Sequence, residues 1–219
     1  MLSIRRSSFG AVRVLVIFAA TAVASLPAQA QQSEWKPLFD GQLLNGWRET
    51  PFTGKGKVET GGGSILLLPG APMTGVTWTG EFPKTNYEIR WEARRVQGND
   101  FFSSLTFPAG GAFATWVTGG WGGDIVGMSC IDGWDASENE TRTYFNFENG
   151  RWYGFRLEVR PGRVKASIDG QTVFDVDIDG REISLRRGEI NRSAPLGFAA
   201  YATRGEIRKV EYRTLASGR

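Results

Sequence analysis

The sequence predicts an all-β protein in which two antiparallel sheets pack as a sandwich or jelly roll. Three observations carry that prediction. Apolar residues recur at every second position in the clearest segments, 29 glycines break the chain into short runs, and nothing beyond residue 30 shows a 3.6-residue apolar period.

The elements follow in order. Arg5, Arg6 and Arg13 precede an apolar run, Val14 to Ala24, that is too short to span a bilayer as a helix, and Ala28-Gln29-Ala30 supplies a small-x-small cleavage site. Residues 1–30 are therefore expected to be an export signal removed before Gln31, which implies a secreted or periplasmic bacterial protein with no membrane attachment after cleavage. Tyr87, Ile89 and Trp91 alternate with Glu88, Arg90 and Glu92, the pattern of a strand with one apolar face. Phe155, Leu157 and Val159 alternate with Arg156, Glu158 and Arg160. Pro161-Gly162 then turns the chain into Val164, Ala166 and Ile168, and Asp169-Gly170 turns it again into Val173, Phe174 and Val176. These three segments are expected to form an antiparallel meander. Leu196 to Leu215 is expected to form two closing strands, broken at Arg204-Gly205. Residues 31–219 read as one domain without linker or repeat.

Composition excludes several functions. The export segment holds three of the 26 basic residues and no acid, so the remainder balances its 23 acidic residues, and no nucleic-acid partner is implied. Histidine is absent, which removes Ser-His-Asp and Cys-His catalysis and every imidazole-based zinc site. Cys130 is the single cysteine, so no internal disulfide forms, and it is expected to be a small buried hydrophobe.

Beyond these patterns, the run Trp35-Lys36-Pro37-Leu38-Phe39-Asp40-Gly41-Gln42-Leu43-Leu44-Asn45-Gly46-Trp47 resembles the entry signature of the 3-keto-disaccharide hydrolase family, formerly a domain of unknown function. Arg151-Trp152-Tyr153, the Asp169-Gly170 hairpin and Leu196-Gly197-Phe198 resemble the same family. The chain departs from the family pattern at Asn99-Asp100-Phe101-Phe102-Ser103-Ser104-Leu105 and from Gly119 to Asp124. The resemblance implies a concanavalin A-like jelly-roll sandwich and cleavage of 3-keto-glycosides. A ketone at C3 acidifies the C2 hydrogen, a base removes it, the C1 substituent leaves and water adds. Without histidine the base would be a carboxylate of raised pKa or a metal-bound hydroxide.

Carboxylates cluster in one segment, since Ile131 to Thr141 holds Asp132, Asp135, Glu138 and Glu140, preceded by Asp124. The segment has three readings: a solvated loop, an oxygen-ligand site for a divalent cation such as Ca²⁺ or Mn²⁺, or an active or sugar-binding loop flanked by Trp121 and Trp134. Asp124, Asp132, Glu138 and Glu140 are the candidate base or metal ligands. Trp116, Trp121 and Trp134 are the candidate stacking platforms for a sugar ring, while Trp91 and Trp152 are expected in the core and Trp35, Trp47 and Trp78 are undecided. Arg90 is either half of a cross-strand ion pair or an anion or ketone contact. The alternating acids of a retaining laminarinase-type glycosidase are missing from Gly122 to Met128, where Asp124 stands alone. The expected ligand is an oligosaccharide or glycoside. The expected function is a hydrolase or lyase, with a non-catalytic carbohydrate-binding module as the alternative and a structural envelope protein as a third reading.

Overall fold

The computed structural model describes residues 33–216, so the expected export signal lies outside the described residues. In chain order the strands are β1 (Lys36–Pro37), β2 (Trp47–Glu49), β3 (Val58–Gly61), β4 (Ser64–Leu67), β5 (Met73–Trp78), β6 (Tyr87–Gln97), β7 (Ser104–Ala109), β8 (Ala112–Gly120), β9 (Ile125–Ser129), β10 (Thr143–Tyr144), β11 (Tyr153–Arg160), β12 (Arg163–Ile168), β13 (Gln171–Asp177), β14 (Gly197–Tyr201) and β15 (Arg204–Thr214), with a short 3-10 helix at Glu189–Ser193. They form two antiparallel sheets, as the alternation predicted. The first runs β13-β12-β11-β6-β15-β4-β3, with β1 on β15, and the second runs β10-β9-β8-β7-β14-β5-β2.

The meander falls where the turn residues put it. β11 pairs Phe155 with Ile168 and Val159 with Val164 of β12, and the hairpin to β13 turns at Asp169-Gly170, both at positive φ as a tight two-residue turn requires. The closing pair differs from expectation in one detail. The chain turns at Ala202-Thr203, whereas Arg204-Gly205 is a bulge inside the pairing of β15 with β6. Gly205 is needed there for close approach, because a Cβ would lie 2.0 Å from the Phe102 carbonyl oxygen.

Between the sheets the period-two pattern places Tyr87, Ile89, Trp91 and Ala93 of β6 beside Phe155, Leu157 and Val159 of β11, against Leu105, Phe107, Trp116, Met128 and Phe198 of the second sheet. Trp91 stacks on Phe155 at 5.1 Å between centroids and meets Trp116 edge-on at 5.3 Å. Burying each such side chain contributes about 1.5–3 kcal/mol. Trp116 is fully buried in this cluster, so it cannot offer a face to a sugar, and among the described residues its indole N–H has no partner. Alternation along β8 turns Trp116 inward and Thr115 and Val117 outward, which removes it from the expected stacking platforms.

Trp152 departs from its expected core position as well. It is half-buried on the outer face of the first sheet, between the guanidinium groups of Arg94 (4.7 Å) and Arg208 (3.8 Å). Trp35 sits the same way under Arg90 (4.0 Å) and Arg213 (4.7 Å). Trp47 is core, and Trp78 packs edge-on against it at 5.3 Å.

Candidate functional site

The outer faces of the two sheets carry opposite chemistry. On the first sheet the outward positions of β6, β11 and β15 form a ladder of paired charges. Glu88, 1 % exposed, lies between Arg156 and Arg213, Arg90 pairs with Glu211 at 2.7 Å, and Glu92 takes both Arg208 and Lys209 at 2.7 Å. A depression of about 760 Å³ lies over this face, but its lining charges are mostly matched with one another. Arg90 takes the ion-pair reading, with Glu211 as its partner.

On the second sheet the outward residues beneath one groove are short. Ser104 of β7, Thr115 and Val117 of β8 and Ser129 of β9 make a floor, and three loop segments rise around it to enclose a groove of about 470 Å³, within the range of small-ligand sites. The β8–β9 turn supplies Gly120 and Trp121, the latter 39 % exposed. The β6–β7 connection supplies Asp100 and Phe101, whose ring lies 5.6 Å from that of Tyr201 at the end of β14. The segment after β13 crosses the sheet. It pairs Ser184 with Cys130 next to β9 (2.6 and 3.2 Å), brings Arg186 and Arg187 to the rim, and packs its 3-10 helix on β14 and β5.

The floor hydroxyls are oriented by the fold. Ser104 accepts a hydrogen bond from the Thr118 amide (3.1 Å) and Ser129 from the Ala136 amide (2.8 Å), so each keeps its own O–H to donate. Arg186 is held at 3.2 Å from Asp135, which also accepts from the Cys130 thiol at 3.3 Å. Burial, reinforced by Asp135, pushes the Cys130 thiol up to about 12, so it stays protonated and is no nucleophile. Glu189 is engaged by the Thr53 amide (2.8 Å) and by Arg192 (3.1 Å). Asp100 accepts from the Phe101 amide at 2.8 Å. Burial nevertheless raises its carboxyl above the ordinary value, against the opposing pull of the Phe101 and Gly122 amides.

Of the residues expected from the sequence, Trp121 alone lines this groove. Asp132 and Glu140 come together on Arg181, at 2.6 and 2.7 Å, and that guanidinium holds both carboxyls below their ordinary range. Asp124 and Glu138 are exposed and join neither that pair nor the groove, and Trp134 is exposed on the same loop as Asp132. The four acids therefore do not converge. Among the described residues no group of three or more Cys, Asp or Glu side chains is arranged to hold a cation. Residues that composition did not single out, Asp100, Tyr201 and Arg186, surround the groove instead. Asp135 belonged to the acid cluster, and its place beside Arg186 depends on the turn at Ile131–Trp134.

Two antiparallel sheets packed face to face define a jelly-roll sandwich, with a ligand-sized groove on one outer face. The profile of the 3-keto-alpha-glucoside-1,2-lyase-like domain matches residues 34–216, and the chain belongs to that family. No curated protein matches the chain. Among solved structures it is similar to a putative glycosyl hydrolase from Parabacteroides distasonis, with 13 % identity over 83 % of this chain and 94 % of that one and a TM-score of 0.53. It is also similar to the carbohydrate-binding module CBM66 from Bacillus subtilis, with 12 % identity, 77 % and 96 % covered and a TM-score of 0.54. A third is domain 4 of an extracellular arabinanase from Geobacillus stearothermophilus in complex with arabinotriose, with 14 % identity, 86 % and 95 % covered and a TM-score of 0.54. At these identities the likeness establishes the fold.

Proposed function

We propose that the groove on the second sheet binds a sugar ring and that the mature chain is an exported glycoside-binding protein. The observation that carries this reading is the pairing of aromatic walls, Trp121 and the Phe101–Tyr201 pair, with a floor that offers the Ser104 and Ser129 hydroxyls as donors. A pyranose presents an apolar C–H face that packs on an aromatic ring, while its rim of hydroxyls needs donors and acceptors at fixed places. Titration calorimetry of the mature chain against methyl α-glucoside, trehalose, 3-keto-trehalose and arabinotriose tests it. At least one should bind saturably, with Trp121→Ala weakening it tenfold or more. The reading fails if none binds, or if Trp121→Ala binds as the parent does.

Asp100 favours a second reading, in which the groove also performs the elimination implied by the family. Its carboxylate would take the C2 proton of a 3-keto-glycoside, the electron pair would pass through the enolate of the C3 ketone, and the C1–O bond would break, the leaving alkoxide taking a proton from water. Water then adds to the unsaturated ketone. Arg186 or Arg187 at the rim would carry the enolate charge. The base works only when ionised. Because burial raises the Asp100 carboxyl, the rate should rise with pH through a titration displaced upward from an ordinary aspartate. Glucose release from 3-keto-trehalose should occur with the parent and vanish in Asp100→Asn, and amide replacements at Asp124, Asp132, Glu138 and Glu140 should leave it intact. No release by the parent restricts the chain to binding.

A further inference from the structure

Below the groove lies a buried cation that does not line it. The inward positions of β6 read Tyr87, Ile89, Trp91 and Ala93, all apolar and buried, and the next inward position is Arg95, 8 % exposed. Its side chain meets three oxygens: Asn149 Oδ1 at 2.7 Å, the Phe147 carbonyl at 2.6 Å and the Gly123 carbonyl at 3.1 Å. Among the described residues no carboxylate forms a salt bridge with it; burial lowers its affinity for the proton, and the nearby Tyr153 and Asp100 oppose that effect through their charge. A guanidinium without a carboxylate is an unfavourable occupant of a core unless its donors are placed where oxygens need them.

Those oxygens belong to loops at one end of the sandwich, and Gly123 ends the turn that carries Trp121. That turn is closed by the Gly123 amide on the Gly120 carbonyl at 3.2 Å, with Trp121 at φ +49° and Gly123 at φ +112°. A Cβ at Gly123 would lie 2.6 Å from an Arg95 guanidinium nitrogen and 2.9 Å from the Asn99 carbonyl oxygen, so the turn rests directly on the cation. From the other side the Gly122 amide and the charge of Arg95 both favour the ionised form of Asp100.

We propose that Arg95, rooted in the first sheet, is a positioning residue for the groove of the second: it sets the Trp121 turn and, through it, the aromatic wall. The proposal rests on the reading of that groove as a sugar site, but its main test needs no sugar. In chain labelled with 5-fluorotryptophan, the Trp121 resonance is assigned by Trp121→Phe. Arg95→Met should shift or broaden that resonance while those of Trp134 and Trp47 keep their positions. Arg95→Lys, which keeps the charge but cannot reach all three oxygens, should give an intermediate spectrum. Gly123→Ala disturbs the same contact from the loop side and should itself shift or broaden the Trp121 resonance, which decides the matter if Arg95→Met does not fold. Asn149→Ala, which removes one hydrogen bond away from the turn, should leave Trp121 in place. An unmoved Trp121 resonance in both Arg95→Met and Gly123→Ala overturns the proposal, and so does a common shift of all the tryptophans. With a sugar that binds, Arg95→Met should weaken it about tenfold and Arg95→Lys less. If no sugar binds the parent, the sugar reading fails and the fluorine result still decides the role of Arg95.

Discussion

The outer face of the first sheet and the outer face of the second arise from the same alternation of residues, yet one is closed by its own side chains and the other is open. On the first, long charged residues of β6 and β15 stand directly opposite one another and pair across the strands, as with Arg90 and Glu211. The faces of Trp35 and Trp152 are covered by guanidinium groups. A ligand there would have to replace contacts already made. On the second sheet the outward residues beneath the groove are Ser104, Thr115, Val117 and Ser129, so the floor lies low and the surrounding loops create depth. The larger depression is thus the poorer candidate, and the chemistry of the lining decides over volume.

Substitutions on the two faces should separate stability from binding. The largest loss of stability is expected from Glu88→Ala, which leaves Arg156 and Arg213 without their shared buried carboxylate. Urea unfolding should show a loss of about 2–4 kcal/mol, discounted from the fully buried case because Arg156 is half exposed, with sugar affinity unchanged. Loss of affinity in a well-folded Glu88→Ala protein would erase the distinction. Trp121→Ala should do the reverse, costing under about 1 kcal/mol of stability as a surface truncation and lowering affinity at least tenfold, about 1.4 kcal/mol.

The smallest effect concerns the acidic loop, which belongs to neither face. Asp132 and Glu140 are held below their ordinary ranges by Arg181, so their contribution to stability is present above the unfolded carboxyl values and is lost as pH falls through the lowered folded values. Both are solvated and the effect on stability is slight. Carboxyl carbon shifts followed through acid pH should show both titrating low, and Arg181→Ala should return both upward. Unchanged titrations in that variant would contradict the pairing.

The scaffold was legible because alternation and turn chemistry are local. Tyr87 to Glu92, the β11–β12–β13 meander and the Asp169-Gly170 turn each declare themselves within a few residues. The groove was not legible for the opposite reason. It joins Asp100, Trp121, Ser129, Arg186 and Tyr201 from five separated segments, and its floor is made of residues too small to attract notice. The acid cluster drew attention because its members are adjacent in sequence, but a loop at the sheet edge points them in different directions, with Asp132 and Glu140 to Arg181 and Asp135 to Arg186. Trp116 could have been placed correctly from its own strand, since the outward positions on either side, Thr115 and Val117, fix its side chain inward.

The account turns on which face meets a sugar, and amide chemical shifts of isotope-labelled residues 31–219 titrated with 3-keto-trehalose and with trehalose address that most directly. Saturating shifts at Ser104, Thr115, Trp121, Ser129 and Tyr201, with Arg90, Arg156, Lys165 and Lys209 unmoved, are the predicted result. Shifts confined to the residues of the first sheet's outer face, or none on either face with both sugars, would contradict it.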